Sequence, residues 1–210
     1  MLIYSMAILA GLLILGALVW RGASRRHALP CPVWLRWLVE MENPFFKIYQ
    51  TPSITGLLGL APGMRALDAG CGPGRVTVAM ARLVGPEGEV TALDMQEGML
   101  RRAREKAAAA GLSNIRFLLA GLGEGKLEQG IYDRAVLATV LGEIPDRESA
   151  LREIYSALKP GGILSVTEII MDPHYTGREK ATALATGAGF VEAGFWGGRW
   201  AYTIHFAKPA

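Results

Sequence analysis

An apolar run that enters a turn with glycine at alternate positions constrains this 210-residue chain more than any other feature. Residues 65–75 read Arg-Ala-Leu-Asp-Ala-Gly-Cys-Gly-Pro-Gly-Arg, a buried strand leading into a glycine-rich turn and then a helix. Twenty positions after Gly74, Asp94 closes a second apolar run, Val90-Thr91-Ala92-Leu93. A glycine loop at one strand end and an acid at the next are how a doubly wound sheet holds an adenosine-containing ligand at its switch point. Missing Cβ atoms let the backbone approach the ligand, and Asp94 is placed to accept hydrogen bonds from ribose hydroxyls. A chance glycine turn is the competing reading of the loop taken alone.

The remaining pattern extends the sheet. Gly85-Pro86-Glu87-Gly88 is a turn, and a helix rich in alanine, arginine and lysine runs from Met99 to Ala110 and stops at Gly111. Strands are expected over residues 114–119 and 133–140. Asp146 caps a helix with Leu151, Ile154, Tyr155 and Leu158 on one stripe. Lys159-Pro160-Gly161-Gly162 ends that helix before a strand over residues 163–169. Alternating strands and helices argue for an α/β fold with a parallel sheet covered on both faces. Two runs, residues 190–196 and 200–206 around a Gly-Gly-Arg turn, form a closing antiparallel hairpin.

The loop spacing is D-x-G-x-G-x-G, from Asp68 through Gly70, Gly72 and Gly74, not the G-x-G-x-x-G of a dinucleotide site. With Asp94-Met95, Tyr132-Asp133, Ile144-Pro145-Asp146 and Leu158-Lys159-Pro160-Gly161-Gly162 in this order, residues 57–208 resemble the class I S-adenosylmethionine-dependent methyltransferases, closest in look to those acting on quinones, sterols and phospholipids. The resemblance implies a Rossmann-like, doubly wound seven-stranded sheet ending in an antiparallel hairpin, with S-adenosylmethionine as cofactor. It implies that Asp68 helps hold the amino acid ammonium group, Asp94 the ribose, Met95 and Leu122 the adenine, and that Thr139 lines the methionine side. Two positions depart from the family. The aspartate that commonly contacts adenine after the third strand is replaced by Leu119-Ala120-Gly121-Leu122-Gly123-Glu124, leaving backbone groups or Glu124 for that contact. After the fourth strand, Leu141-Gly142-Glu143 stands where relatives often carry a histidine pair, so a histidine base at that position is excluded.

Residues 1–20 contain no charged side chain, and about 20 apolar residues at ~1.5 Å each match a ~30 Å hydrocarbon core. Arg21, Arg25 and Arg26 follow, which orients the remaining chain toward the cytoplasm. The expectation is a single-pass anchor over residues 1–22, a juxtamembrane amphipathic segment or lid over 23–55 and a methyltransferase domain over 56–210. The competing readings are a soluble packing helix, which would normally show a polar face, and a cleaved signal peptide, which requires basic residues before a shorter apolar stretch and a small-x-small site after it; neither of these is evident.

Charge agrees with this division. The first thirty residues hold three of the 22 basic side chains and no acid, so the remaining 19 balance the 19 acids. The pI near 9.0 therefore reports the anchor and not a nucleic-acid surface. Arg101, Arg102, Arg104 and Lys106 lie on one amphipathic helix and read as a solvated face, with anionic lipid headgroups as the alternative. Trp34, Trp37, Leu38 and Met41 make a helical stripe that either packs on the sheet or lies at headgroup level, and Tyr49 is a candidate to close over the cofactor. Cys31 and Cys71 are expected as free thiols; His27, His174 and His205 are scattered, and no metal spacing is present.

Methyl transfer is an in-line displacement at a sulfonium carbon, so positioning and water exclusion dominate. Among Glu143, Asp146, Glu168 and Asp172, the preferred base or acceptor-binding residue is Glu143, just beyond the fourth strand; its bland reading is a surface carboxylate. Asp146 reads as a cap. Residues 170–189 leave no room for a substrate domain, so the lid must come from the N-terminal segment. The expected acceptor is a small hydrophobic or lipid-like molecule reached from the bilayer: a phospholipid amine, a quinone or a lipophilic thiol. The rivals are a dinucleotide oxidoreductase and a membrane-tethered, non-catalytic scaffold.

Overall fold

A computed structural model describes residues 31–210 and, of the first thirty, only Tyr4, Gly11 and Gly22. The anchor expected over residues 1–22 therefore falls, apart from those three positions, outside the described residues. Among the described residues no helix is long and apolar enough to cross a membrane.

Seven strands form one sheet: β1 (Arg65–Ala69), β2 (Glu89–Asp94), β3 (Ile115–Leu119), β4 (Tyr132–Ala138), β5 (Leu158–Ile169), β6 (Val191–Gly198) and β7 (Ala201–Ala207). Their order is β3-β2-β1-β4-β5-β7-β6, parallel except that β7 runs antiparallel to both β5 and β6. The helices are α1 (Arg36–Glu40), α2 (Thr51–Leu58), α3 (Arg75–Val84), α4 (Glu97–Ala109), α5 (Arg147–Ala157) and α6 (Arg178–Gly187).

Because both sheet faces are covered, the inner strands read as apolar runs. Ala66, Val90 and Val136 face one way, toward Ile54 and Leu58 of α2 and Val76, Met80 and Val84 of α3. Their neighbours Leu67, Leu93 and Leu137 face the other way, in a core completed by Leu151 and Ile154 of α5, Ala181 and Ala185 of α6, and Tyr202, Ile204 and Phe206 of β7. After β1 the chain turns toward β2; after β4, its neighbour, it turns toward β5. The two C-terminal strand ends diverge and leave the crevice expected at a switch point.

Three expectations are adjusted. The α5 helix stops at Ala157, and Leu158, expected on its apolar stripe, is extended (φ −74°, ψ 143°) and starts β5 opposite Tyr132. Pro160 is the cause: it biases Lys159 toward extended backbone, so the strand begins before the glycines. Gly161 and Gly162 then pair with Lys208 in place of forming a free turn. The N-terminal stripe forms only a 3-10 turn, Val33–Leu35, followed by the five-residue α1, and Trp34, Trp37 and Met41 of that stripe are exposed, not core. Among the described side chains, Val33 lies against Gly98 and Val39 against Gly72.

Candidate active site

The turn after β1 crosses the crevice with Gly70, Gly72 and Gly74 at φ of 77°, 51° and 81°, a left-handed region that Cβ-bearing residues seldom adopt. At Gly74 space is limiting as well: a Cβ would stand 2.8 Å from Ala103 Cβ, so this glycine lets α3 start directly against α4. Backbone amides of Gly70 and Cys71 donate to Leu93 O, tying the loop to β2. The Asp94 carboxylate accepts from Gly72 N (2.9 Å) and Gln96 N (2.8 Å). Burial raises its pKa, against the pull of those amides, and the nearby charge of Glu143 adds to the rise.

These ends open into a cavity of about 710 Å³. Of the residues singled out in the sequence, Tyr49, Gly70, Gly72, Asp94, Met95, Leu122, Thr139 and Glu143 all line it. Its size lies within the range of small-molecule and cofactor sites. Gly123 N and Leu127 N donate to the two carboxylate oxygens of Glu153 on α5, which fixes the loop after β3 and leaves Leu122 and Glu124 on the cavity wall. Asp68 and Gly74, also singled out in the sequence, are not among the residues that line the cavity. The Asp68 carboxylate is buried and accepts from Thr77 Oγ1 at 2.5 Å; burial lifts its pKa to about 6 against that hydrogen bond and the charge of Arg75.

Thr139 directly follows β4 with φ 58°, the single non-glycine among the described residues at positive φ. A β-branched residue there is strained, and such outliers cluster at functional sites. Its amide donates to Thr167 O and its hydroxyl to Ala138 O, which hold the conformation, and the same hydroxyl lies 3.4 Å from Tyr49 Oη.

Tyr49 belongs to a strap, residues 31–51, that roofs the cavity. Its anchor is Arg75, which the sequence reading missed. One Nη of Arg75 donates to Thr51 Oγ1 (2.8 Å), Tyr49 O (3.2 Å) and Glu42 Oε2 (3.2 Å), while the guanidinium lies 4.6 Å from the Tyr49 ring centroid. A cation opening a helix opposes the macrodipole and asks for an anionic partner, which was the one available signal. Glu40 binds Arg102 at 2.8 Å and Lys106 at 3.3 Å, and Gln96 Nε2 donates to Cys31 O. Two members of the basic cluster on α4 thus clamp the strap and are not merely solvated.

His174 is the other residue that sequence reasoning left unassigned. Its Nδ1 lies 3.6 Å from Glu143 Oε1 and 3.8 Å from Asp172 Oδ1, although no histidine follows β4 directly. The approach depends on Gly142, where a Cβ would stand 1.8 Å from His174 O. Asp146, as expected, caps α5 by accepting from Ser149 N. Cys31 and Cys71 are free; burial pushes the Cys31 thiol up to about 11 and Cys71 well above its ordinary value, and both are further raised by nearby carboxylates.

Known proteins share this framework. In sequence, 111 residues are 36% identical to the demethylmenaquinone methyltransferase of Staphylococcus aureus, covering 53% of this chain and 45% of that protein, so the match spans about half of each. In structure, a SAM-dependent methyltransferase from Aquifex aeolicus superimposes with a TM-score of 0.76 at 20% identity, over 85% of this chain and 100% of that one. Phospholethanolamine N-methyltransferase 2 of Haemonchus contortus, solved with S-adenosylhomocysteine and phosphomonomethylethanolamine, gives 0.61 at 21% identity, over 70% of this chain and 38% of that one. Residues 60–207 match the family described as methyltransferase domain. The cavity's glycine backbone, the buried acid Asp94 beside it and this match agree: the chain belongs to the methyltransferase domain family and is an enzyme whose cofactor is S-adenosylmethionine.

Proposed function

We propose that this methyltransferase acts on a small hydrophobic or lipid-like acceptor taken from a bilayer, with a quinol-type ring as the first candidate. The observation that carries the reading is the rim of the cavity. Met41, Phe45 and Met171 line it while being 52%, 77% and 55% exposed, and Trp34, Trp37 and Trp200 are exposed as well. Aromatic residues and methionines displayed together on a soluble surface are costly in water and favoured at a headgroup interface. A groove of about 400 Å³ between residues 44–48 and the turn at Gly198–Ala201 adds apolar surface beside the strap. The uncharged residues 1–20, followed by three arginines, support a single-pass anchor with the catalytic domain on the cytoplasmic side. The name of the Staphylococcus relative favours a quinone-type acceptor over a phospholipid amine or a lipophilic thiol.

S-adenosylmethionine supplies a methyl group on a positively charged sulfur. The chain supplies the pocket: Asp94 for the ribose, Met95 and Leu122 for the adenine, Thr139 and the Gly70–Gly72 backbone for the methionine portion, and the strap to exclude water. Glu143 stands on the far wall as the candidate base. The test uses the full chain in detergent or vesicles, with S-adenosylhomocysteine formation measured against a prenylated 1,4-naphthoquinol, a long-chain primary amine and a long-chain thiol. Turnover on the naphthoquinol, lost in Glu143→Gln, is expected. Turnover restricted to a water-soluble acceptor lacking an apolar tail would reject the proposal. Saturable S-adenosylmethionine binding, weakened by Asp94→Ala, checks the cofactor site separately by calorimetry.

A further inference from the structure

Behind the acceptor wall of the cavity lies a cluster that a positioning role for the strap does not explain. Glu143 and Asp172 both line the cavity, while His174 sits just beneath them with 3% of its side chain exposed. Nδ1 of that imidazole faces both carboxylates, at 3.6 Å and 3.8 Å. The geometry is held from several sides. Asp172 Oδ1 accepts from His174 N at 2.7 Å. Arg147 donates to the carbonyl oxygens of Leu141 and Gly142, fixing the turn that presents Glu143. Gly142 is bare enough for the His174 carbonyl to lie against it.

A third carboxyl, Glu168, is buried nearby: its Oε2 accepts from Thr176 N, and its Oε1 has no hydrogen-bond partner. Burial, then the charges of Asp172 and Glu143, hold its pKa well above the ordinary value. Two ionised carboxylates gathered about one imidazole nitrogen repel each other. A cation between them removes that conflict.

We infer that His174 is a positioning residue that, as an imidazolium between Asp172 and Glu143, keeps Glu143 ionised and aimed into the cavity so that it takes a proton from the acceptor. The inference rests on the methyltransferase reading and adds to it a requirement on the substrate: the attacking atom carries a proton to be lost, as in a phenol, a hydroquinone or a protonated amine. In the step, the acceptor's X–H proton moves to a Glu143 oxygen and the freed electron pair forms the bond to the methyl carbon. The sulfur–methyl bond breaks with its electrons remaining on sulfur, which becomes a neutral thioether. Glu143 then loses its proton to water when product leaves. At 3.6 Å the pair of His174 and Glu143 interacts through charge and not through a direct hydrogen bond.

The test follows the imidazole directly, with no acceptor needed. In the full chain saturated with S-adenosylhomocysteine, the nitrogen-15 shifts of His174 are titrated by NMR in wild type, Glu143→Gln and Asp172→Asn. The groups that face His174 or its carboxylates, and so share the titration, are Glu143, Asp172, Glu168, Arg147, Asp94 and Cys31. Expected is a midpoint above the ordinary ~6.5 that falls by at least about half a unit in Glu143→Gln. A midpoint at or below ~6.5 in wild type, or a change smaller than that in the variant, overturns the inference. In the reciprocal measurement, His174→Gln raises the carbon-13 titration midpoint of the Glu143 carboxyl, which a purely structural histidine would leave in place. Calorimetric binding of S-adenosylhomocysteine reports on the methyltransferase reading alone: absence of binding defeats that reading, whereas binding with an uncoupled His174 defeats only the proton-handling pair.

Discussion

Replacing Arg75 with leucine should release the strap while leaving the sheet intact. Arg75 is 8% exposed in its side chain, and leucine keeps part of its apolar bulk while removing every donor. The pair with Glu42 is discounted because that carboxylate is 47% exposed and contributes under ~1 kcal/mol. The hydrogen bonds to Tyr49 O and Thr51 Oγ1 contribute about 1 kcal/mol each. Stacking on the Tyr49 ring adds about 0.5–1 kcal/mol. Together these come to about 3 kcal/mol, or roughly 100-fold in the docking equilibrium. Hydrogen exchange reads this locally. The amides of Phe46, Tyr49, Gln50 and Thr51 are bonded to Asn43, Phe46, Lys47 and Glu42, all within the strap. They should exchange about 100-fold faster in the variant, or reach the free-chain rate, while β1 and β4 amides stay protected. S-adenosylmethionine should bind more weakly in parallel, because closing the roof then costs binding energy. Strap exchange within threefold of wild type, or equal acceleration of strap and sheet, would refute the assignment of Arg75 as a local anchor.

Asp68→Asn should raise stability at pH 8 by up to about 3 kcal/mol, from roughly two units of raised pKa at ~1.36 kcal/mol each. The sign follows from a folded pKa above the unfolded one: ionising the buried carboxyl costs stability as pH rises through about 6, so denaturation at pH 4 should show almost no difference. Glu40 and Glu42 act oppositely. Hydrogen bonding from Arg102 lowers the Glu40 pKa, and for Glu42 the Thr51 and Arg75 contacts outweigh a burial that would raise it. Their support of the strap is complete above 4.5 and lost as pH falls through the depressed folded values, so acid should speed strap exchange before the sheet melts. Gly142→Ala should lower stability by about 1–3 kcal/mol, since a Cβ 1.8 Å from His174 O forces the backbone apart; an unchanged melting temperature would contradict the packing. Both cysteines should resist iodoacetamide in the native protein at pH 8 and react once it is unfolded, as mass spectrometry would show.

The strands and the glycine loop were legible because burial on both faces leaves an apolar run, and because alternate glycines before a helix have few other uses. Asp94 and Glu143 were legible as positions at or just beyond strand ends, and Thr139 through the family resemblance. What brings distant charges together was not. Glu42 and Arg75 are 33 residues apart, and Glu40 and Arg102 are 62 apart; neither pair lies on one periodic face. The helix α2 escaped notice because Pro52 starts it and Gly56 interrupts its pattern within eight residues. The nearness of His174 to Glu143 has no sequence pattern at all: it is set by Gly142 and by the path of the chain after β5. For Trp34, Trp37 and Met41 the pattern left packing on the sheet and a place at headgroup level both open, and their exposure removes only the first.

The place of β7 has a consequence for how this protein is made. Ala201–Ala207 is the last of the seven strands to leave the ribosome, yet it fills an interior slot of the sheet between β5 and β6. Until it arrives, β5 lacks its partner on one side, and the core around Leu164 and Val166 lacks Tyr202, Ile204 and Phe206. Synthesis therefore passes through a stage in which most of the chain is present but a sticky strand edge and an open core are displayed together. Premature termination upstream of Ala201 would yield not a trimmed enzyme but a polypeptide unable to complete its fold, a ready client for chaperones and proteases.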